Sequence, residues 1–157
     1  GKLDSLENFS PKQISEFIKL NLNSHIIITR LLLPYLKMNN NGFLIYIGSE
    51  ASYKVGKYGS IYSACKFGLR GFVKSIRIET SLNNIRVTQI NPGIVKTPFY
   101  NNLKISPGIE HDEFIEPNDI SDVIINVLKI RKGTVIDEIN LTSQKQVVTF
   151  KSKKWKL

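Results

Sequence analysis

One cysteine, one methionine, one tryptophan and two histidines among 157 residues rule out several ways of building a protein. Cys65 has no second cysteine to pair with, so no internal disulfide can staple the chain, and a reducing cytoplasm suits it. No Cys, His or carboxylate stands at ligand spacing from Cys65, His25 or His111, so no metal is expected. Long apolar runs are also missing. The longest, Ile26 to Leu33, is interrupted by Thr29 and Arg30 and falls well short of the roughly 20 residues that a bilayer span requires. The chain opens Gly1-Lys2-Leu3-Asp4, with neither an initiating Met nor an apolar signal core, which reads as a truncated or processed edge. No internal repeat divides it, and no linker rich in Gly, Ser or Pro. Acidic residues are scarce, 13 against 22 Lys and Arg, for a net charge of +9. The excess is scattered singly except in the last residues, and no aromatic ladder accompanies it, so a nucleic-acid partner is not expected. Residues 145–157 read as a flexible basic tail on a single domain.

What is present is a regular alternation of helical and strand patterns. Ser10-Pro11-Lys12-Gln13 combines an N-cap serine, a proline at the first helical position and a glutamine at the third, a strong helix start. Ile14, Phe17, Ile18, Leu22 and Ile26 then recur at helical spacing, predicting a helix over 11–37 with Pro34 loosening its last turns. After the turn Asn39 to Gly42, Phe43-Leu44-Ile45-Tyr46-Ile47 is a continuous run of strand formers, predicted to be buried on both faces. A second helix is predicted over 60–82 and a second strand over 85–90, ending at Asn91-Pro92-Gly93; strand, helix and strand make one parallel unit. Residues 97–116 lack periodicity and read as a lid-like loop, with Tyr100, Asn101 and Asn102 as its polar contacts. A third helix is predicted from Pro117, closed by Gly133, and a last strand over 135–141.

The chemistry gathers where these elements meet. Tyr62 and Lys66 stand four residues apart near the start of the second helix, hence on one face and one turn apart. Ser49 directly follows the first strand, where doubly wound folds place ligand-contacting residues. A phenol titrates near 10, so acid–base work at neutral pH requires a downward shift of about three units, roughly 4 kcal/mol of phenolate stabilisation. An ammonium one turn away can supply positive charge toward that.

Gly48-Ser49 thirteen residues before Tyr62, then Tyr-x-x-x-Lys, then Asn91-Pro92-Gly93-Ile94-Val95-Lys96-Thr97 after the next strand, resembles the short-chain dehydrogenase/reductase family in order and spacing. Upstream, Leu20-Asn21-Leu22-Asn23-Ser24 resembles the family helix that carries a fourth catalytic residue. The resemblance implies an α/β, Rossmann-like doubly wound parallel sheet, of which this chain holds only the C-terminal half, about three strands and three to four helices. It implies an NADP-dependent oxidoreductase, with NAD as the alternative cofactor, interconverting a small alcohol and carbonyl. Tyr62 would be the acid/base. Lys66 would hold the nicotinamide ribose, Ser49 the substrate oxygen and Asn21 a water linking the lysine to solvent. Pro92 and Gly93, the backbone near Val95, and Thr97 would hold the nicotinamide end of the cofactor. It also implies a homodimer or homotetramer built through helices 11–37 and 60–82. The family's opening strand and Gly-rich phosphate turn have no counterpart here: no G-x-x-x-G-x-G follows a strand, and Gly1 would fall just after the family's fourth strand. The strand at 43–47 is therefore expected to have an unpaired edge.

The rival readings are structural. Tyr62 and Lys66 can be an amphipathic surface pair, Ser49 a cap, Asn21 or its neighbour Asn23 a cap or packing residue, Pro92-Gly93 a simple turn and Thr97 a loop cap. A non-catalytic remnant that keeps only the helical association surface, or a basic binding module, are the alternative functions.

Overall fold

Residues 2–151 are described by a computed structural model of the chain. The first helix begins where its signals place it. In α1 (Pro11–Ile18) the Ser10 hydroxyl accepts from the Gln13 amide at 3.3 Å, while Gln13 Oε1 accepts from the Ser10 amide at 3.0 Å. The helix then passes through one π-helical turn, Lys19–Asn23, and continues as α2 (Ser24–Met38) straight past Pro34. The irregularity thus falls well before the proline. It is supported by side chains, since Asn21 Nδ2 donates to the Phe17 carbonyl at 3.0 Å and Ser24 Oγ to the Leu20 carbonyl at 2.6 Å.

Strand β1 (Gly42–Ile47) pairs in parallel with β2 (Ile85–Pro92), Gly42 opposite Ile85 and Ile47 opposite Ile90. The 20-residue helix α3 (Ser60–Glu79) connects them. It is followed by a single 3-10 turn, Ser81–Asn83, and by Asn84 in the left-handed region at φ 54°. Beyond β2 lie the short β3 (Ile105–Pro107), α4 (Pro117–Lys129) and β4 (Glu138–Leu141). β4 extends the sheet in parallel from β2, giving the order β1-β2-β4. The α/β parallel architecture is the one the sequence predicts. Gly133, at φ 89°, takes the left-handed turn after α4 that a side chain would resist.

The core lies between the sheet and α3. Leu69, Val73 and Ile76 pack on Tyr46, Ile85 and Val87, with Leu22, Leu33, Leu36, Leu44 and Phe72 around them. A second cluster, Phe9, Ile61 and Cys65 with Ile14, Phe17 and Ile18, joins α1 to the start of α3. Tyr46 is buried yet polar at its tip, and its hydroxyl meets Thr29 Oγ1 of α2 at 2.7 Å. That bond explains the threonine inside the apolar run of the first helix.

Three expectations need correction. β1 is not buried on both faces: Ile47 is 41% exposed, because β1 is an edge strand with no partner on its outer side among the described residues. The last strand starts at Glu138 rather than at Val135. Residues 145–157 are not uniformly a loose tail, since β5 (Val148–Phe150) pairs antiparallel with β3. Pairing turns the predicted lid loop and the start of the predicted tail into one ribbon, satisfying backbone groups that neither segment satisfies alone. The rest of that tail, 152–157, lies outside the described residues.

Candidate active site

The carboxyl ends of β1 and β2 lie side by side, and the residues after them set the site. The Gly48 amide donates to the Ile90 carbonyl at 2.7 Å, continuing the ladder one residue beyond β1. A Cβ at Gly48 would run into the Asn91 side chain and lie 2.6 Å from Gln89 Nε2, so only glycine brings the strand this close. Ser49 then turns away in extended conformation, φ −170°, and its hydroxyl accepts from the Ala51 amide at 3.2 Å, capping the 3-10 turn Glu50–Ser52.

Beneath that turn runs a buried polar chain. Gln89 Nε2 donates to Ser52 Oγ at 3.2 Å and to Asn91 Oδ1 at 2.7 Å; Asn91 Nδ2 donates in turn to Glu138 Oε1 at 2.7 Å and Asn140 Oδ1 at 3.0 Å. Arg70 of α3 closes the chain on Glu138 at 2.8 Å. These bonds tie the turn after β1 to β2, β4 and α3, so the position of Ser49 is set by three elements besides its own.

Tyr62 and Lys66 rise from the first turns of α3. Lys66 is 8% exposed, and its Nζ lies 5.6 Å from the Tyr62 ring centroid. The Phe17 ring meets Tyr62 edge-on at 6.3 Å, which carries the π-turn region of the first helix against the phenol. Asn21, Phe17, Tyr62 and Phe99 line a common cleft of about 490 Å³. The structure therefore brings Ser49, Tyr62 and Lys66 together and opens Asn21 onto the same cleft, although the Asn21 amide hydrogens are already engaged in part by Phe17.

The second strand's end supplies the other wall. Pro92 is buried and Gly93 donates to the Leu141 carbonyl at 2.8 Å. Val95 forms a parallel bridge with Ile115, and Thr97 Oγ1 makes a long 3.4 Å contact with the Val95 carbonyl. Tyr100 ends the 3-10 turn Pro98–Tyr100 that follows Thr97.

The titration of these groups follows burial first. Burial pushes the Tyr62 phenol up; hydrogen bonding from Ser49 opposes this, and Glu50 and Cys65 add to it. The lowered phenol expected beside Lys66 is thus not what this arrangement produces, for the ammonium lies against the ring and is itself pushed down by burial. Burial and then the neighbouring Lys66 hold His25 below 6.5. Tyr100 is pushed up to about 12 by burial, then by Tyr62 and Glu50. Glu50 escaped the reading of the sequence, where it carried a signal only in standing next to Ser49, whereas Tyr100 was expected there as one of three polar contacts of an aperiodic loop.

A parallel α/β sheet with Ser, Tyr and Lys gathered past its carboxyl ends defines a class of proteins that bind small ligands at that edge. The short chain dehydrogenase family model matches residues 1–107, and the chain belongs to that family. The sepiapterin reductase of Chlorobaculum tepidum is 28% identical over 145 residues, covering 90% of this chain and 57% of that protein. An NADP-dependent 3-hydroxy acid dehydrogenase of Schizosaccharomyces pombe is 30% identical over 125 residues, covering 76% and 48%. The structure of an alcohol dehydrogenase from the archaeon Thermococcus sibiricus, complexed with 5-hydroxy-NADP, superimposes with a TM-score of 0.80 at 26% identity, over 94% of this chain and 61% of that one. The chain thus spans about half to three-fifths of the length of these proteins. No helix among the described residues is long and apolar enough to cross a membrane.

Proposed function

We propose that these residues form the catalytic face of a cytoplasmic NADP-dependent oxidoreductase that interconverts a small alcohol and its carbonyl, with NAD as the alternative cofactor. The observation that carries this reading is Lys66: a buried ammonium one helical turn from Tyr62, with no carboxylate or hydrogen-bond partner offsetting its desolvation among the described residues. A lysine so placed is fitted to hold a ligand hydroxyl, and family membership together with the cofactors named for two of the relatives supports a nicotinamide ribose as that ligand.

When bound, the cofactor supplies or takes up the hydride. In the reducing direction Tyr62 gives its proton to the substrate oxygen, and Ser49 Oγ holds that oxygen by a hydrogen bond. Lys66 stabilises the phenolate left behind, and Asn21 holds a water through which the proton is replaced. Pro92, Gly93, the backbone near Val95 and Thr97 hold the nicotinamide end. The exposed apolar side chains of α2, among them Ile27, Ile28, Leu31 and Tyr35, support the first helix and α3 as contacts between subunits of a homodimer or homotetramer.

The test uses the protein at its natural length with NADPH and a panel of small carbonyls. Tyr62→Phe is expected to reduce kcat by at least about a thousandfold, in the range of lost acid–base catalysis, with NADPH affinity within a few-fold of the parent. Turnover surviving that change would remove Tyr62 from the mechanism.

A further inference from the structure

The cleft beside Tyr62 is larger and more apolar than a proton transfer requires. It encloses about 490 Å³, and its wall joins Asn21 and Tyr62 to Phe9, Phe17, Leu20 and Phe99. Lys66, Pro92, Gly93, Val95 and Thr97 do not line it, so the residues read as holding the cofactor leave this space to the substrate. A ketone with a short alkyl chain would leave most of it unfilled, since clefts of this size take much larger ligands. The rings of the wall also stand in a definite order. Phe17 meets Tyr62 edge-on at 6.3 Å and 90°, and Phe9 meets Phe17 at 6.5 Å and 88°, so edge-to-face pairs run outward from the phenol.

Phe99 and Leu20 stand outside that series, 48% and 71% exposed, so the wall keeps two apolar groups in water. Phe99 is nonetheless held in place: its ring braces against Tyr100 at 5.1 Å, and Lys151 Nζ donates to the Tyr100 carbonyl at 2.6 Å. Charge on the wall, among the described residues, comes from Lys2 and Glu16, which are opposite in sign. Lys2 Nζ is engaged by the Asn8 carbonyl at 2.6 Å and lies 4.3 Å from the centroid of the Phe9 ring. Glu16 is exposed on α1, where water and salt screen it. Neither gives the cleft a net preference for a charged substrate.

We propose that this cleft seats an uncharged aromatic ring carried by the substrate beyond its reacting carbon, so that the substrates are aryl-bearing alcohols and their carbonyl counterparts, with Phe99 selecting for the ring. This rests on the oxidoreductase reading above and narrows its substrate class. A ring lodged among Phe9, Phe17 and Phe99 extends the edge-to-face series and covers the half-exposed Phe99. An aliphatic group of equal bulk gains the burial without the ring geometry, and a short alkyl chain gains neither.

The experiment compares three ketones whose carbonyls are alike and whose far ends differ: 4-phenyl-2-butanone, 4-cyclohexyl-2-butanone and 2-butanone, reduced by the natural-length protein with NADPH. The expected order of kcat/KM is phenyl, cyclohexyl, butanone, with about tenfold or more between the first and the last, the scale of filling an apolar pocket. Phe99→Leu keeps an apolar side chain and removes the ring, and is expected to cut the phenyl-to-cyclohexyl ratio by about threefold. Phe99→Ala is expected to cut the phenyl-to-butanone ratio by about tenfold. A parent protein that prefers the cyclohexyl ketone or 2-butanone, or a phenyl-to-cyclohexyl ratio that Phe99→Leu leaves unchanged, overturns the proposal. If no ketone turns over, the oxidoreductase reading has failed instead. Calorimetric binding of the same three ketones to the parent and Phe99→Leu proteins then decides the ring preference by itself, with tighter phenyl binding that weakens in Phe99→Leu expected and equal binding of the three overturning it.

Discussion

Gly48 packs directly against Asn91, so that the backbone leaving β1 occupies the room that a side chain would need. The contact exists because the Asn91 amide is held from behind by Glu138 and Asn140 and cannot withdraw without stranding its own bonds. Gly48→Ala is expected to destabilise the protein by about 1–3 kcal/mol through overpacking, and to lower kcat through displacement of Ser49. Urea unfolding together with turnover of the natural-length protein checks this; a fully stable, fully active variant would mean that the turn adapts freely.

The bond between Thr29 and Tyr46 joins α2 to β1 inside the core, and its two ends are unequal. Thr29 Oγ1 also donates to the His25 carbonyl at 2.7 Å, so Tyr46→Phe leaves the threonine satisfied and is expected to cost about 1 kcal/mol. Thr29→Val leaves a buried phenol without a partner and is expected to cost more, about 1–3 kcal/mol. The order of the two unfolding free energies is the result to measure.

His25 gives the stability a pH dependence of defined sign. Burial first, and Lys66 second, depress its folded pKa below the 6.5 of the free imidazole. Between the folded value and 6.5 the unfolded chain binds more protons, so stability rises with pH through that window and is flat on either side of it. The urea midpoint of the parent, followed between about pH 5 and 7, should rise with pH, and the part of that rise due to His25 should vanish in His25→Gln.

The ribbon of β3 and β5 restrains the segment that bears Tyr100. Lys151 adds to it, its Nζ donating to the Tyr100 and Asn101 carbonyls at 2.6 and 3.0 Å and its amide to the Lys104 carbonyl at 2.9 Å. A two-stranded ribbon is marginal, so losing one strand releases the other. Truncation after Val147 is expected to raise the rate of limited proteolysis within residues 97–116 by about tenfold, as a local opening energy falls by roughly 1.4 kcal/mol. Cleavage at the parent rate would show that β5 does not restrain the segment.

Local physics was legible in the sequence. The Ser10 capping box, the 3.6-residue spacing of Ile14, Phe17 and Ile18, the strand formers before Gly48 and the four-residue step from Tyr62 to Lys66 each depend on neighbours in the chain, and each stands in the structure as read. The motif order Ser49, Tyr62, Lys66 and Asn91-Pro92-Gly93 was likewise enough to identify the family. Tertiary structure decided what depends on distant partners. The π-turn at Lys19–Asn23 has no local breaker to announce it, and β5 exists only because β3 lies beside it, 40-odd residues earlier in the chain. The polar chain from Ser52 through Gln89 and Asn91 to Glu138 and Arg70 joins residues from four segments. The Glu50 carboxylate comes to face Gly93 only when β1 and β2 lie side by side. Periodicity reports which face of an element avoids water, but the charge that a site presents is the sum of side chains delivered by separate strands and loops, and only the folded chain performs that sum.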